Sequence, residues 1–541
     1  MTPPLDPNPL DLACAAWRAI PGVAEVLSQE AAQQAYGADT GGSTRTIRAA
    51  VRIVQNDGED TCVSAVMRVA SQHGIAVHPI STGHNWGYGT ALPAGDGSVI
   101  LDLGGLKEMN FDAELGVVTL QPGVTQAMLA EFLDANNHQY MVPVTGAGPS
   151  CSLLSNALER GYGVTPHTDH FGAVTDIEAV LADGSLYRTT LREAGTKELA
   201  SLFKWGLGPH TAPLFTQSGY GVVTRMSIVL ARRPEVVKVC LFNLKDDALL
   251  ETAVERVRHI LRSLPGTVGG INLMNRHRVL AMNAPYPDTP PDGNGQIPLD
   301  VIETLGRQYQ IAPWTGFCTL YGTKTMVAAA QKEIKRALAG VGTRMLFLSP
   351  GNARTLAKLA KLLPGGAGQR LGSTAATLAK SLDLVAGRPN ETALPLAYWR
   401  NPGKQPDDGR DPGRDGCGLL WYAPLVPMRP QYARAYVNLV TRVAKKHGME
   451  PLLTFTSVNE RLFDSTVPLL FDRSQPEAVA RARACYKELL EEGRKIGVFP
   501  YRVGVDTMAA IKVNQTHSAA FHAKLKQALD PANLVAPGRY Q

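Results

Sequence analysis

Directly behind a short strand signal, GIAVHPIS, the chain passes through PISTGHNWGYG at residues 79–89. Small residues and glycines in such a loop let consecutive backbone N–H groups face one concavity, the arrangement that binds a pyrophosphate. The loop is not GxGxxG, and no Asp or Glu follows at the spacing of a nicotinamide fingerprint. Taken alone it reads as a turn between strands. Its surroundings are more restrictive. Residues 60–73 carry apolar positions at helical spacing, SVILDLG and VVTLQPG read as strands, and TQAMLAEFLDANNH is an amphipathic helix with Thr125 placed to cap it. IEAVLADGSLYRTT is a hairpin turning on Asp183-Gly184, and VVTRMSIVLARRPE is a strand ending at Pro234. Short strands and helices mixed in this way form an α+β fold, not the regular βαβ series of a doubly wound sheet.

After Pro234 the character changes. A strand VVKVCLFNL, a helix from about Ala248 to Leu264, further strands and a helix near 325–339 mark a second α/β lobe. Residues 363–416 are rich in Gly, Pro, Asn and Asp and read mostly as long loops, the kind that cover sites. LLWYAPLVP is a buried strand, PEAVARARACYKELLEEGRKIG a helix with Glu–Lys/Arg pairs on its exposed face, and the tail is a helix stopped by Asp530-Pro531.

A chain of 541 residues is too long for one core, so two lobes are expected. With 44% hydrophobic and 19% charged residues it is an ordinary globular composition. The net charge of +6 is small for this length, and no Lys/Arg run with interleaved aromatics occurs. Nucleic acid is therefore not an expected partner, while a weakly basic funnel drawing in an anionic substrate is compatible with it. Seven scattered cysteines (Cys14, Cys62, Cys151, Cys240, Cys318, Cys417 and Cys485) include no CxxC pair, which argues against a disulfide framework or structural zinc. The N-terminus lacks a basic region ahead of an apolar stretch, and no run of about twenty apolar residues exists. A cytoplasmic protein without a membrane span is expected.

Two more segments carry chemistry. SNALERGYGVTPHTDHFG (155–172) sets His167, Asp169 and His170 among glycines and a proline. The two histidines stand three apart, but with no third ligand at a defined spacing no metal is expected. In FPYRVGV (499–505) Tyr501 and Arg502 are neighbours, which on a strand would point to opposite faces; a joint role needs a bend.

In order and content these segments resemble the flavoproteins of the vanillyl-alcohol oxidase and p-cresol methylhydroxylase family. PISTGHNWGYG is similar to its pyrophosphate loop and ERGYGVTPHTDHFG to its flavin-flanking loop; LFTQSGYGVVTRMSIVLARRPE, PYRV and DPANLVAPGRY match the strand and return segments. The likeness spans nearly the whole chain and is weaker through the middle. It implies an α+β fold: a split FAD-binding domain of this type, residues 1–235 and 500–541, around a cap with a ferredoxin-like antiparallel sheet, residues 236–499.

The resemblance also implies roles. FAD would be held by Ser81, Thr82, Gly83, His84, Asn85, Gly87, Ser155, Asn156, Glu159, Gly163, His170, Gly221 and Val223. His84 stands where many relatives of the wider fold bond the flavin 8α carbon, and a neutral imidazole is a competent nucleophile toward it. Phenol-oxidising relatives attach the flavin from the cap near Leu419, which cannot form that bond; Tyr422 or Cys417 there, and Cys151 as a second tether, are the alternatives. Tyr88, Tyr501 and Arg502 match the residues that bind a phenol oxygen, and Asp169 matches the carboxylate near flavin N5. His167 and His170 would shape the pocket. The expected enzyme moves a hydride from a para-substituted phenol or aromatic alcohol to FAD, passes electrons to oxygen or a cytochrome-type acceptor, and forms a homodimer. The cap departs from the family: Arg461-Leu462-Phe463-Asp464 replaces a Met-His-His segment, and Thr168 replaces a glycine. An alcohol or sugar-type oxidase with a non-phenolic substrate, and a flavin-free binding protein, are the alternatives.

Overall fold

The computed structural model describes residues 8–56, 61–360, 376, 378–407, 409–512 and 516–540. The first seven residues of the N-terminal segment read above, and residues 363–375 of the glycine-rich stretch, lie outside them.

The elements of the first third form for local reasons. The helix Cys62–Gln72 starts at Thr61, whose Oγ1 accepts from Ser64 N at 3.2 Å. It buries Val63, Val66, Met67 and Ala70, the i, i+3, i+4, i+7 stripe. Thr125 caps Gln126–Ala135 in the same way. Among the described residues, one four-stranded sheet runs Val23–Leu27, Ala50–Ile53, Val99–Asp102, Val77–Ile80, the last three parallel. A second, antiparallel sheet runs Met109–Asp112, Val117–Leu120, Val222–Val229, Val174–Val180, Leu186–Arg188. The C-terminal tail is sewn to the free edge of the first sheet. Val77 N donates to Leu534 O and Ala536 N donates to Val77 O, both at 2.7 Å. Val535 and Ala536 share a core with Val63 and Met67. Lys526, buried near the tail, pairs with Asp530 at 2.7 Å and donates to Gly219 O and Val535 O. A buried charge with all its partners present holds one geometry.

The middle of the chain builds a nine-stranded antiparallel sheet among the described residues. At its centre Val268–Asn275 pairs with Trp314–Gly322 on one side and Thr454–Asn459 on the other. Leu462–Asp472 follows and pairs with both Pro424–Pro427 and Cys417–Tyr422. The helices Leu250–Ser263, Pro430–Lys446 and Pro476–Lys495 cover one face, over a core of Phe242, Trp314, Tyr436 and Phe455. The other face looks toward the two smaller sheets. One sequence reading is corrected here: within 363–416, residues 378–385 are helical and Leu394–Tyr398 is a 3-10 turn. Ala379, Leu382 and Val385 recur at helical spacing and bury against Met141 and Tyr321, and that packing outweighs the loop-like composition around them.

Candidate active site

A cavity of about 790 Å³ lies between the smaller sheets and the free face of the large one, within the ~300–1,000 Å³ typical of small-molecule and cofactor sites. Residues 78–86 form one unbroken stretch of its wall. This loop needs its glycines for close approach as much as for exposed N–H groups. Gly87 has φ +81°, and a Cβ there would lie 2.2 Å from Trp421 Cδ1 of the large sheet. Its N–H donates to Thr40 Oγ1 at 2.7 Å.

His84 is on this wall, stacked on Trp86 with ring centroids 4.9 Å apart. Its Nδ1 lies 3.0 Å from Ser150 Oγ and its Nε2 3.9 Å from Asp411 Oδ2. Burial lowers the imidazole below its ordinary value, against the pull of Asp411, and so keeps it neutral. His170 is buried behind the wall and lowered to about 3 by burial and by His167. Its Nδ1 is hydrogen-bonded to the Asn156 side chain, and Gly163 leaves the space it fills, since a Cβ there would meet His170 Nε2 at 2.4 Å. Ser81, Thr82, Gly83, Asn85, Cys151, Ser155, Asn156, Glu159, Gly221 and Val223 also line the cavity; Gly87, Gly163 and His170 support it from behind. His78 Nδ1, Trp86 Nε1 and Ser218 Oγ on the wall are buried with no hydrogen-bond partner among the described residues. Buried polar atoms are usually paired, so a polar ligand is the natural partner for these.

At one end Tyr88, Tyr162, Tyr501 and Arg502 converge. The strand Phe499–Pro500 stops after two residues and the chain bends, so that Tyr501 and Arg502 both reach the cavity. The Arg502 guanidinium lies 4.2 Å from the Tyr88 ring centroid and donates to Asn85 Oδ1. Its Nε stands 3.3 Å from Glu159 Oε2, an ion pair without hydrogen-bond alignment, and Glu159 also pairs with Arg539 of the tail. Tyr162 packs edge-on against Tyr501 at 5.4 Å. Burial pushes the Tyr88 and Tyr501 hydroxyls well above their ordinary value despite Arg502, so both remain hydrogen-bond donors.

The sequence reading missed the carboxylate of this cluster. Asp464 is 4% exposed, its Oδ1 has no partner, and burial raises it from 3.8 to about 7. It stands opposite Thr456 in the sheet register and two residues from Thr466, and both threonines line the cavity, so it shares their face. Its charge is felt by Tyr88, Tyr162 and Tyr501. A signal was present: an acid, followed by Ser465 and Thr466, inside the largely apolar run LFDSTVPLLF.

Asp169 needs correction. It is exposed and off the cavity wall, because its Oδ1 is taken by Gly172 N at 2.9 Å, closing the turn Phe171–Ala173. Tyr422 also points away, its hydroxyl donating to Leu489 O at 2.9 Å inside the core under the covering helices. Alternation along Cys417–Tyr422 turns Leu419 and Trp421 to the cavity instead, and Cys417 packs off the wall against neighbouring apolar side chains. Cys151 does reach the wall, with its thiol pushed up by burial.

Comparison with known proteins gives the family and the fold. Residues 49–190 match the family model of an FAD binding domain. The chain is 32% identical over 539 residues, 99% of its length and 98% of the relative's, to 1'-carboxy-chondrochloren decarboxylase of Chondromyces crocatus. It is 29% identical to the 4-cresol dehydrogenase (hydroxylating) flavoprotein subunit of Pseudomonas putida, covering 88% of this chain and 85% of that one. The structure of p-cresol methylhydroxylase with substrate bound superposes with a TM-score of 0.84 at 26% identity, over 98% of this chain and 96% of that one.

Proposed function

Because the chain belongs to the vanillyl-alcohol oxidase and p-cresol methylhydroxylase family of FAD-dependent oxidoreductases, we propose that it oxidises a para-substituted phenol or aromatic alcohol at the benzylic carbon. The observation that carries this reading is the convergence of Tyr88, Tyr501 and Arg502 at one end of the cavity.

The residues present fit FAD. The loop at 81–85 with Ser155, Asn156 and Glu159 would hold it, and the unpartnered His78, Trp86 and Ser218 atoms offer polar contacts. His84, held neutral by burial, is the proposed covalent tether. FAD, when bound, supplies a two-electron acceptor for a hydride. The protein supplies the rest. Two protonated tyrosines and a guanidinium stabilise the phenolate, and stabilising developing charge in a dry pocket is the largest catalytic contribution such a site offers. Electron push from that oxygen loosens the benzylic C–H bond. Asp464, neutral below about pH 7 and ionised above, takes the phenol proton through the tyrosine cluster. The quinone methide so formed adds water or loses a proton. Division into 1–235, 236–499 and 500–541 remains the proposed domain organisation.

The relative named as a decarboxylase suggests a second outcome. In a substrate with a carboxylate on the carbon next to the benzylic one, the C–CO2 electron pair can pass into the quinone methide, restoring the phenolate and releasing carbon dioxide. A cation on the wall would orient such a carboxylate on binding, and the cavity carries one in Arg278.

Stopped-flow mixing of the purified enzyme with 4-alkylphenols should bleach the flavin, and a panel of aliphatic alcohols should not. Bleaching by the alcohols alone removes the phenolic assignment. Acid precipitation should leave yellow colour in the pellet, on the peptide bearing His84; flavin wholly in the supernatant removes the tether. Oxygen uptake during turnover separates molecular oxygen from a cytochrome-type acceptor.

A further inference from the structure

The helix Arg276–Asn283 begins against the large sheet, and Asn275 caps it by accepting from Arg278 N at 3.0 Å. Arg278 is thereby fixed on the cavity wall, beside Thr454 and Thr456. Its Nε donates to Thr454 Oγ1 at 3.2 Å, and its Nη1 is buried with no partner. Among the described residues no carboxylate lies within ion-pair distance of it. Burial lowers the guanidinium to about 10, which still leaves it charged near neutrality. The other arginines of the wall have an ionic partner: Arg502 and Arg539 share Glu159, a pairing that leaves one net positive charge there, whereas Arg278 has none. An uncompensated charge buried inside a protein opposes folding, and a ligand that supplies the counter-charge offsets that cost.

We propose that Arg278 is a carboxylate-binding subsite, so that the substrate is a para-substituted phenol whose side chain ends in a carboxylate. This rests on the phenolic reading above. The phenol lies at Tyr88, Tyr501 and Arg502, and the carboxylate lies against Arg278 with the Thr454 hydroxyl beside it. A guanidinium fork matches the two oxygens of a carboxylate, and charge-assisted hydrogen bonds are the strong ones. Asp464 does not take the place of this anion. It stands opposite Thr456, whereas Arg278 reaches Thr454, which stands opposite Thr466, one pleat repeat further along the sheet.

The test uses the flavin-loaded enzyme and its Arg278→Gln and Arg278→Lys variants, with 4-propylphenol and 3-(4-hydroxyphenyl)propanoate as substrates. Calorimetric titration with 3-phenylpropanoate, which has no phenol to oxidise, reads the subsite by itself. Wild type should prefer the carboxylated phenol. Arg278→Gln should lower its kcat/KM by about 10–100-fold while moving 4-propylphenol by less than about twofold, with Arg278→Lys in between. 3-Phenylpropanoate should bind wild type, raise its Tm, and do neither with Arg278→Gln. Equal losses on both phenols, or no preference in wild type, overturn the subsite while leaving phenol oxidation standing. If neither phenol bleaches the flavin yet 3-phenylpropanoate binding still depends on Arg278, the phenolic reading fails and the carboxylate subsite stands. Unchanged flavin absorbance and an undiminished Tm in Arg278→Gln show that the variant is folded.

Discussion

On the wall built by the N-terminal segments and the tail, the charged groups that reach the cavity are tied to one another. Arg502 and Arg539 share Glu159, and Arg502 also holds Asn85 and lies over Tyr88. On the cap side, Arg278 lines the cavity and Asp464 is buried on the same sheet face as the lining Thr456 and Thr466, both with no ionic partner among the described residues. Paired charges fix a geometry; unpaired ones raise the energy of the empty protein and lower that of a complex. The first wall is therefore suited to holding a cofactor in one place, and the second to selecting what is brought to it. A site can keep its cofactor chemistry while its substrate changes if the two tasks are placed on different walls.

The largest expected effect tests the cofactor wall. His84→Ala should remove all covalent flavin, leaving a folded protein whose colour goes to the supernatant on acid precipitation; colour retained in the pellet would move the tether to Cys151. Next is the phenol end. Tyr501→Phe deletes one donor to the phenolate and should lower the rate of flavin reduction by 4-alkylphenols by about 10²–10³-fold, as loss of one oxyanion donor does. A change below tenfold would show that Arg502 and Tyr88 suffice.

Asp464→Asn tests the cap wall. Reduction rates in wild type should rise with pH through about 7 as the carboxylate ionises, and the variant should lose that limb. Its stability should change in a matching way. The folded-state value, about 7, is raised above the unfolded 3.8, so ionisation opposes folding. That penalty is absent below about pH 4, grows up to about 7 and is constant above, reaching at most on the order of 4–5 kcal/mol. Asp464→Asn should therefore raise Tm relative to wild type more at pH 8 than at pH 4, and an equal difference at both would mean the group is not buried as a neutral acid. The smallest effect tests how the walls meet. Gly87→Ala drives a methyl into Trp421 in a left-handed conformation and should cost about 1–3 kcal/mol, read as a lower Tm with the flavin still bound.

Much of the frame was legible in the sequence because it depends on local rules. Periodicity located the helix Cys62–Gln72, Thr125 marked the start of the helix Gln126–Ala135, and Asp183-Gly184 marked the hairpin of Val174–Val180 with Leu186–Arg188. The bend that a joint role for Tyr501 and Arg502 required is present. The helix within 363–416 escaped because its apolar positions are few and surrounded by loop-forming residues.

What the sequence determined by itself was the set of elements, their order and the loop chemistry at 79–89, since these follow from spacing within about a dozen residues. Only the tertiary structure decided which charges are paired. Arg502 meets Asn85 across 417 positions of sequence, Asp169 turns outward because Gly172 claims its carboxylate, and Asp464 and Arg278 have no ionic partner among the described residues. Pairing and burial depend on contacts between distant segments, so the roles of these side chains are set only when the walls of the cavity come together.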